Sequence, residues 1–302
     1  MKLIDIALAT YNGELYIREQ IESIINQTYR NWRLLISDDN STDSTVAIIT
    51  ELMDKDERII LVSTARQGGV VRNFNNALLA TTTEFVVLSD QDDIWPVDRL
   101  EKMMAKIESI ENENPTKPIL VFTDLTLVNE SNDLIAPSFY MANKIGPLSN
   151  MKDNNLLWRS TVYGCSTIMN RNLLNVTLPI PDFALMHDHW LALVANQNNG
   201  LYYYNYASVR YRQHANNVVG GSNKNLMHKI RVLRKSIKLI SSQADKTKKM
   251  LAKHPTFYKE NNPGKNNVNY CSFAFKEIFP NIFTGNKKIF SLFTFVSFVI
   301  KK

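Results

Sequence analysis

Cysteine is nearly absent from this chain of 302 residues: Cys165 and Cys271 are its two thiols. Two isolated thiols build neither a disulfide framework nor a zinc site, so a reducing compartment fits best. The first residues do not read as a secretory leader. The N-terminus MKLIDIALATYNG is apolar only briefly and is interrupted by Asp5. The terminal stretch Ile289–Ile300 is twelve residues without charge. As a helix it spans only about 18 Å at ~1.5 Å per residue, against a bilayer core of roughly 30 Å. It reads as an interfacial anchor with Lys301 and Lys302 at the head groups, the alternative being a buried terminal helix or strand. Acidic residues are scarce in the last quarter. Residues 224–302 hold 17 Lys+Arg against 3 Asp+Glu, while residues 1–223 hold 18 against 26. The asymmetry suggests a catalytic body over residues 1–221 and a basic extension over residues 222–302 for an anionic partner. Nucleic acid and an acidic membrane surface both suit that charge. The apolar end and the lack of a nucleic-acid motif speak against nucleic acid.

The first third alternates strands and helices. Apolar, β-rich runs at Leu3–Ala9, Arg33–Ser37, Ile59–Ser63, Phe85–Ser89 and Ile119–Thr123 read as strands. Helical patterning covers Glu14–Gln27, a segment capped by Ser41-Thr42-Asp43 and running to Met53, and Val70–Leu79. Pro96 suits the first residue of a further helix. Strands separated by helices of this length predict right-handed crossovers and a mostly parallel α/β sheet. The middle third is less regular: loop and small helices over Asn129–Lys152, a strand at Val162–Met169, a helix around Leu191–Ala195 and one or two strands over Leu201–Arg212. Past Gly220-Gly221, Leu226, Ile230, Leu233, Ile237 and Ile240 recur at helical spacing, with Lys229, Arg231, Arg234, Lys235 and Lys238 on the other faces. Asn261–Asn269 reads as a polar linker.

Residues 84–95, EFVVLSDQDDIW, carry the most chemistry. A short apolar strand ends in Asp90, Asp92 and Asp93. Three carboxylates so close repel one another unless a cation sits among them, and hard divalent metals choose oxygen ligands. In an open α/β sheet, ligands collect beyond the carboxyl ends of the strands. Three more segments belong to the same edge: A-T-Y-N-G at 9–13, S-D-D-N-S-T-D at 37–43 and G-G-x-x-R-N at 68–73.

Together with D-Q-D-D at 90–93, these segments make the chain resemble the family 2 glycosyltransferases of the GT-A (Rossmann-like) fold, over about residues 3–215. The resemblance implies that Thr10, Tyr11, Asn12 and Asp39 lie at the nucleotide base or ribose, with Asp38 as their neighbour. It places the D-x-D on Asp90 and Asp92. Asp90 and Gln91 then face the nucleotide sugar, and Asp90 and Asp92 hold Mn²⁺ or Mg²⁺. Asp93 either helps or caps the next helix. Gly69 and Arg72 fall beside the phosphates, where Arg72 adds a fixed cation or forms a surface ion pair. A nucleoside-diphosphate sugar is the implied donor.

In Met186-His187-Asp188-His189-Trp190 the two histidines sit two apart, which on a helix does not give a shared face and speaks against a dedicated His/His zinc site. By the resemblance Asp188 is the catalytic base, taking the proton of the acceptor hydroxyl. Trp190 is core packing or a sugar-stacking wall, packing being favoured. The run Tyr211-Arg212-Gln213-His214 is similar to rhamnosyltransferase-like members that act in surface polysaccharide assembly. That implies phosphate binding by Arg212, and contact of His214 with the diphosphate or the metal. Tyr163-Gly164-Cys165-Ser166 resembles the family's acceptor-side strand, with Gly164 permitting close approach of a sugar. The Q-x-x-R-W motif of processive synthases is missing, so one sugar, or very few, is added per encounter. A sugar-phosphate nucleotidyltransferase is the competing enzyme class, but Tyr11-Asn12-Gly13-Glu14 is no Gly-rich basic loop. The implied acceptor is a saccharide or lipid-linked hydroxyl, met at the cytoplasmic face of an anionic membrane.

Overall fold

The computed structural model of the chain describes residues 1–151, 154–214, 226–258, 268–284 and 288–300, without the side chains of 150, 226–238, 284, 288, 289 and 300. The first third alternates as its patterning predicts. Its elements are β1 (Ile4–Thr10), α1 (Ile17–Ile25), β2 (Trp32–Asp38), α2 (Thr45–Met53), β3 (Ile59–Ser63), α3 (Val70–Leu79), β4 (Phe85–Ser89) and α4 (Arg99–Glu113). There follow β5 (Leu120–Val128), β6 (Leu134–Ala136), α5 (Phe139–Ala142), β7 (Thr167–Asn170), α6 (Arg171–Thr177), α7 (His187–Gln197) and β8 (Leu201–Arg212).

These eight strands make one sheet in the order β3-β2-β1-β4-β7-β5-β6, with β8 paired to β5. β1 to β4 are mutually parallel. β7 enters antiparallel between β4 and β5, and β8 runs parallel to β5. Strands covered on both faces read as continuous apolar runs. Accordingly Ile4, Ile6, Leu8, Val86, Val87 and Leu88 are fully buried. The parallel register brings Thr10 level with Asp38 and Leu8 level with Ser89. The acidic and polar segments that follow these strands therefore emerge along one edge.

Three local expectations are corrected. α1 begins at Ile17, because the amides of Tyr16 and Ile17 first turn back onto the Gly13 carbonyl at 3.0 Å. Pro96 does not open α4; its carbonyl accepts from Arg99 N at 3.1 Å in a turn that precedes the helix. Val162–Met169 is not one strand. Gly164–Ser166 form a short 3₁₀ turn and only Thr167–Asn170 pair with the sheet.

The chain divides into two compact units: Met1–Asn143, Val162–Pro181 and Met186–Asn216; and Lys144–Thr161, Asp182–Leu185 and Asn217–Lys302. The first holds the sheet. The second is helical, with α8 (Leu226–Lys253), α9 (Tyr270–Phe273), α10 (Pro280–Thr284) and α11 (Lys288–Ile300), and a π-helical turn over Ala274–Ile278. Its interior includes Phe273 against Phe298, with ring centroids 5.5 Å apart. Asn154 and Arg159 tie the internal segment to it by bonds of 2.9 Å to Glu277 and Asn281. The expected helix over Leu226–Ile240 lies within α8. Its basic faces, the expected boundary at 221/222 and the expected linker as far as 267 fall outside the described side chains and residues. Among the described residues, no helix is long and apolar enough to cross a membrane.

Candidate active site at the sheet edge

Beyond β1 the chain turns at Asn12, whose φ of 47° is left-handed, a conformation asparagine tolerates better than most residues. Asn12 N donates to Ser41 Oγ at 2.8 Å and Asn12 Oδ1 accepts from Thr42 N at 2.9 Å. Gly13 has no room for a side chain: a Cβ there would lie 2.6 Å from Gln91 Oε1. Gln91 braces the ends of β1 and β4, because Oε1 accepts from Thr10 Oγ1 at 2.6 Å and from Tyr11 N at 2.8 Å. Thr10 is buried, its hydroxyl given to Gln91 and its carbonyl to Asp39 N and Asn73 Nδ2. Tyr11, in contrast, is exposed.

The two aspartates after β2 differ in kind. Asp38 is fully buried and accepts from Ser41 N and Oγ, which shapes the turn. Asp39 accepts from three successive amides, Gln67 N, Gly68 N and Gly69 N. Gly68 and Gly69 have φ of 86° and 120°, so glycine is needed for the amides to converge. Burial alone would push the Asp39 carboxyl up; the amides of Gly68, Gly69 and Gln67 outweigh it and hold the group below its usual range. Arg72 lies exposed in the first turn of α3, its guanidinium beside Gly68.

The acidic loop has an outer and an inner side. On the outer side Asp92 Oδ2 meets His214 Nε2 at 2.8 Å, and the His214 ring lies against Tyr16 at 4.9 Å. His214 is brought there by β8. Ile94 and Arg210 exchange backbone hydrogen bonds at 3.2 and 2.9 Å. Arg212 then donates to the carbonyls of Asp92 and Glu130 and to Glu19 Oε2. Those bonds, with burial to 2 % exposure, correct the expectation of a phosphate-facing Arg212: it orients the backbone of Asp92.

On the inner side, Asp90, Asp93 and Cys165 bring potential ligand atoms within 4.8 Å of one another. Burial first, and the charges of Asp92 and Asp188 next, push Asp90 up to about 7. Burial likewise drives Asp93 well above the carboxylate range and the Cys165 thiol well above its own. The Cys165 sulfur lies within 4.8 Å of an oxygen of each carboxyl. Arg99, fully buried, donates to the Cys165 carbonyl and lies 3.7 Å over the Trp95 ring. Asp93 is therefore no helix cap. Cys165, expected on the acceptor side, faces the underside of the acidic loop.

Asp188 stands in the first turn of α7, half-buried. Its Oδ2 accepts from Gly164 N at 2.9 Å and its Oδ1 from His189 N at 2.7 Å, which sets its orientation. Its charge is felt at Asp90. Gly164 is needed for the protein's own packing: a Cβ there would lie 2.8 Å from His187 Nε2 and 3.4 Å from Asp188 Cβ. His187 stacks on Phe74 at 3.8 Å, with burial depressing its pKa. Trp190 is core, 6 % exposed with Nε1 bonded to the Thr177 carbonyl at 3.1 Å. Gly164, Cys165 and Trp190 thus present no open surface for an acceptor.

Sequence reasoning missed Glu19, Tyr16 and Arg99. Glu19 and Tyr16 carry no motif, since α1 reads only as an amphipathic helix. A signal for Arg99 existed: an arginine at the start of an apolar helical face, just past three carboxylates.

The comparisons agree with this geometry. The family model described as Glycosyl transferase family 2 matches residues 5–192. An Escherichia coli relative, UDP-Glc:alpha-D-GlcNAc-diphosphoundecaprenol beta-1,3-glucosyltransferase WfgD, is 29 % identical over 201 residues, 65 % of this chain and 71 % of its own. The dTDP-rhamnosyl transferase RfbG of Shigella flexneri is 28 % identical over 229 residues, 71 % of this chain and 74 % of its own. An uncharacterized glycosyltransferase of Haemophilus influenzae is 36 % identical over 104 residues, but the match spans only 42 % of that relative. The same fold occurs in S. aureus TarS 1-349 in complex with UDP-GlcNAc, at TM-score 0.55 and 18 % identity, covering 99 % of this chain and 82 % of that one. It occurs also in the mannosyltransferase PcManGT from Pyrobaculum calidifontis in complex with GDP-Man and Mn²⁺, at TM-score 0.55 and 17 % identity, covering 99 % and 86 %. With the nucleotide-side turns, the acidic loop and Asp188 gathered on one sheet edge, and the family model matching well over half its length, the chain belongs to glycosyl transferase family 2 and is a glycosyl-transfer enzyme.

Proposed function

We propose that the enzyme transfers one sugar, with inversion, from a uridine or deoxythymidine diphosphate donor to a hydroxyl of a saccharide or lipid-linked acceptor in surface polysaccharide assembly. The observation that carries this reading is the meeting of Asp92 with His214 at 2.8 Å, beside an Asp90 pushed up to about 7 by burial and unbalanced charge. Carboxylate oxygens with one imidazole suit a hard or borderline divalent ion. Asp90, Asp92 and His214 would hold Mn²⁺ or Mg²⁺; the neighbour crystallised with GDP-Man and Mn²⁺ supports that choice of ion. When bound, the ion supplies Lewis acidity to the departing diphosphate.

The remaining roles belong to the chain's own residues. Tyr11 and Asp39 flank the base, with Asn12 and Asp38 shaping their turns and Thr10 and Gln91 forming the floor. Arg72 and the glycines at 68–69 lie on the phosphate side. Asp188 is the general base. Its carboxylate, steadied by two amides and by the positive end of α7, takes the proton of the acceptor hydroxyl. The acceptor oxygen bonds to the anomeric carbon as the bond to the diphosphate breaks and its electron pair leaves with the nucleotide. One base and one nucleophile make a single displacement.

The donor's sugar is assigned as L-rhamnose on a dTDP carrier, by likeness to RfbG and through Tyr211–His214. A lipid-linked acceptor is supported by the relative that acts on a diphosphoundecaprenol substrate. Residues 1–221 are assigned as the catalytic domain, and residues 222–302, with 17 of the chain's 35 basic residues and 3 of its 29 acidic ones, as an extension that holds it on the cytoplasmic membrane face. A screen of nucleotide-sugar donors for turnover that chelation abolishes and Mn²⁺ or Mg²⁺ restores tests the reaction. Full activity in excess chelator, or a product that keeps the donor's anomeric configuration, overturns it.

A further inference from the structure

The helical unit is built partly inside out. On α11 the residues turned inward are Ser291, Thr294 and Phe298, all at most 3 % exposed. Ser291 Oγ is buried without a hydrogen-bond partner, and Thr294 bonds back to the Phe290 carbonyl. The residues turned outward are Leu292 and Val296, 44 % and 37 % exposed. In a helix facing water the order is the reverse. A second helical segment, Tyr270–Thr284, adds Phe275, Phe279 and Phe283 at spacing i, i+4, i+8, exposed by 54 %, 38 % and 65 %. Phe295 of α11 joins them, with ring centroids 5.0 Å from Phe275 and 5.3 Å from Phe279, and Phe283 lies 5.3 Å from Phe279. The rings form one connected surface. The exposed large apolar residues of the sheet-bearing unit include no phenylalanine.

A contiguous exposed apolar patch marks an interaction site. We infer that Phe275, Phe279, Phe283, Leu292, Phe295 and Val296 form the face by which the chain enters the head-group layer of an anionic membrane. The inference rests on the peripheral membrane reading above and assigns its contact surface. Charge selects the occupant. Residues 224–302 carry 17 basic against 3 acidic residues, so a second copy of this unit is repelled and an anionic surface attracted. Lys276 is exposed beside Phe275, and in sequence Lys287-Lys288 precede the apolar part of α11 and Lys301-Lys302 follow it. Aromatic bodies with flanking lysines suit the boundary between acyl chains and head groups. Among the described residues no helix is long and apolar enough to span, and the face inferred here lies on the membrane rather than across it.

The test uses the full chain and vesicles of phosphatidylcholine with or without phosphatidylglycerol. The unaltered chain is expected to cosediment with the anionic vesicles at low salt. The double variant Phe275→Ser/Phe283→Ser should bind them at least about tenfold more weakly, as exposing two half-buried rings' worth of transfer implies, while donor hydrolysis is unchanged. A Phe283→Trp variant gives a second reading, because the four native tryptophans are all buried. Its emission should shift to the blue on anionic vesicles and be quenched by brominated lipid. Binding by the unaltered chain with no loss in the double variant and no quenching at position 283 overturns this surface and leaves membrane association standing. No binding of the unaltered chain overturns both. Equal binding to neutral vesicles, or dimerisation that the double variant abolishes without any vesicle binding, overturns the choice of partner.

Discussion

The two sides of the acidic loop hold the same residue type, one or two positions apart, in opposite circumstances. Asp92 faces outward, its oxygen shared with His214 and its side chain 22 % exposed. Asp93 faces inward, fully buried beside a thiol and under the influence of Arg99. Asp90 stands between them and feels both, as it feels the charge of Asp188. A cluster of carboxylates is thus one motif with two physical functions. The outer side is arranged to meet something positive from outside. The inner side is buried beside the Cys165 thiol and within the field of Arg99. Asp93 and Cys165 are sealed from solvent at 0 % and 1 % exposure, so they are the lesser candidates for the ion although their atoms lie close to those of Asp90.

The comparison can be broken at each of its parts. The largest effect is expected across from the loop: Asp188→Asn should lower transfer by about 10²–10⁴-fold, the span of a positioned base, with donor binding retained in calorimetry. Normal transfer by that variant removes Asp188 from the reaction. Next comes the inner anchor. Arg99→Met leaves the buried carboxyls without their cation and should cost about 3–5 kcal/mol of folding stability in denaturant titration; a loss near zero means that the inner side does not depend on it. The third test sets the two sides against each other. Asp92→Asn should weaken Mn²⁺ binding by roughly 100-fold, the upper end of what even a supporting partner costs, whereas Asp93→Asn should leave it nearly unchanged. The reverse order would move the ion to the inner side. The smallest effect belongs to Cys165→Ser, which keeps a donor toward Asp93 and should change stability by about 1 kcal/mol without altering metal affinity. A large loss of affinity there would again favour the inner trio.

Much of the fold was legible. The spans of β3, α3 and β4 match the expected ones residue for residue, because a buried parallel strand is a continuous apolar run and an amphipathic helix has its own period. β7 was not legible as observed. Only four residues pair, and the 3₁₀ turn before them exists because Gly164 N is held by Asp188 from another element. Pro96 was misread for a similar reason. Its carbonyl accepts from Gln27 Nε2 as well as Arg99 N, a bond that nothing near Pro96 in sequence announces.

What the sequence by itself determined is local: the alternation that builds the sheet, the polar and acidic segments at the ends of β1, β2 and β4, and the crowding of basic residues toward the C-terminus. Composition and periodicity suffice for these because each depends on a residue and its near neighbours. Tertiary structure alone decided which carboxylate faces outward. His214 reaches Asp92 across 122 positions, and Arg99 reaches the Cys165 carbonyl across 66. It alone turned Arg212 from a ligand contact into a support for Asp92, and placed Trp190 in the core. It alone faced Ser291 and Thr294 inward and left Leu292 and Val296 outside. A side chain's charge state and exposure are set by whatever the fold packs against it, and those neighbours come from elements far away in the chain.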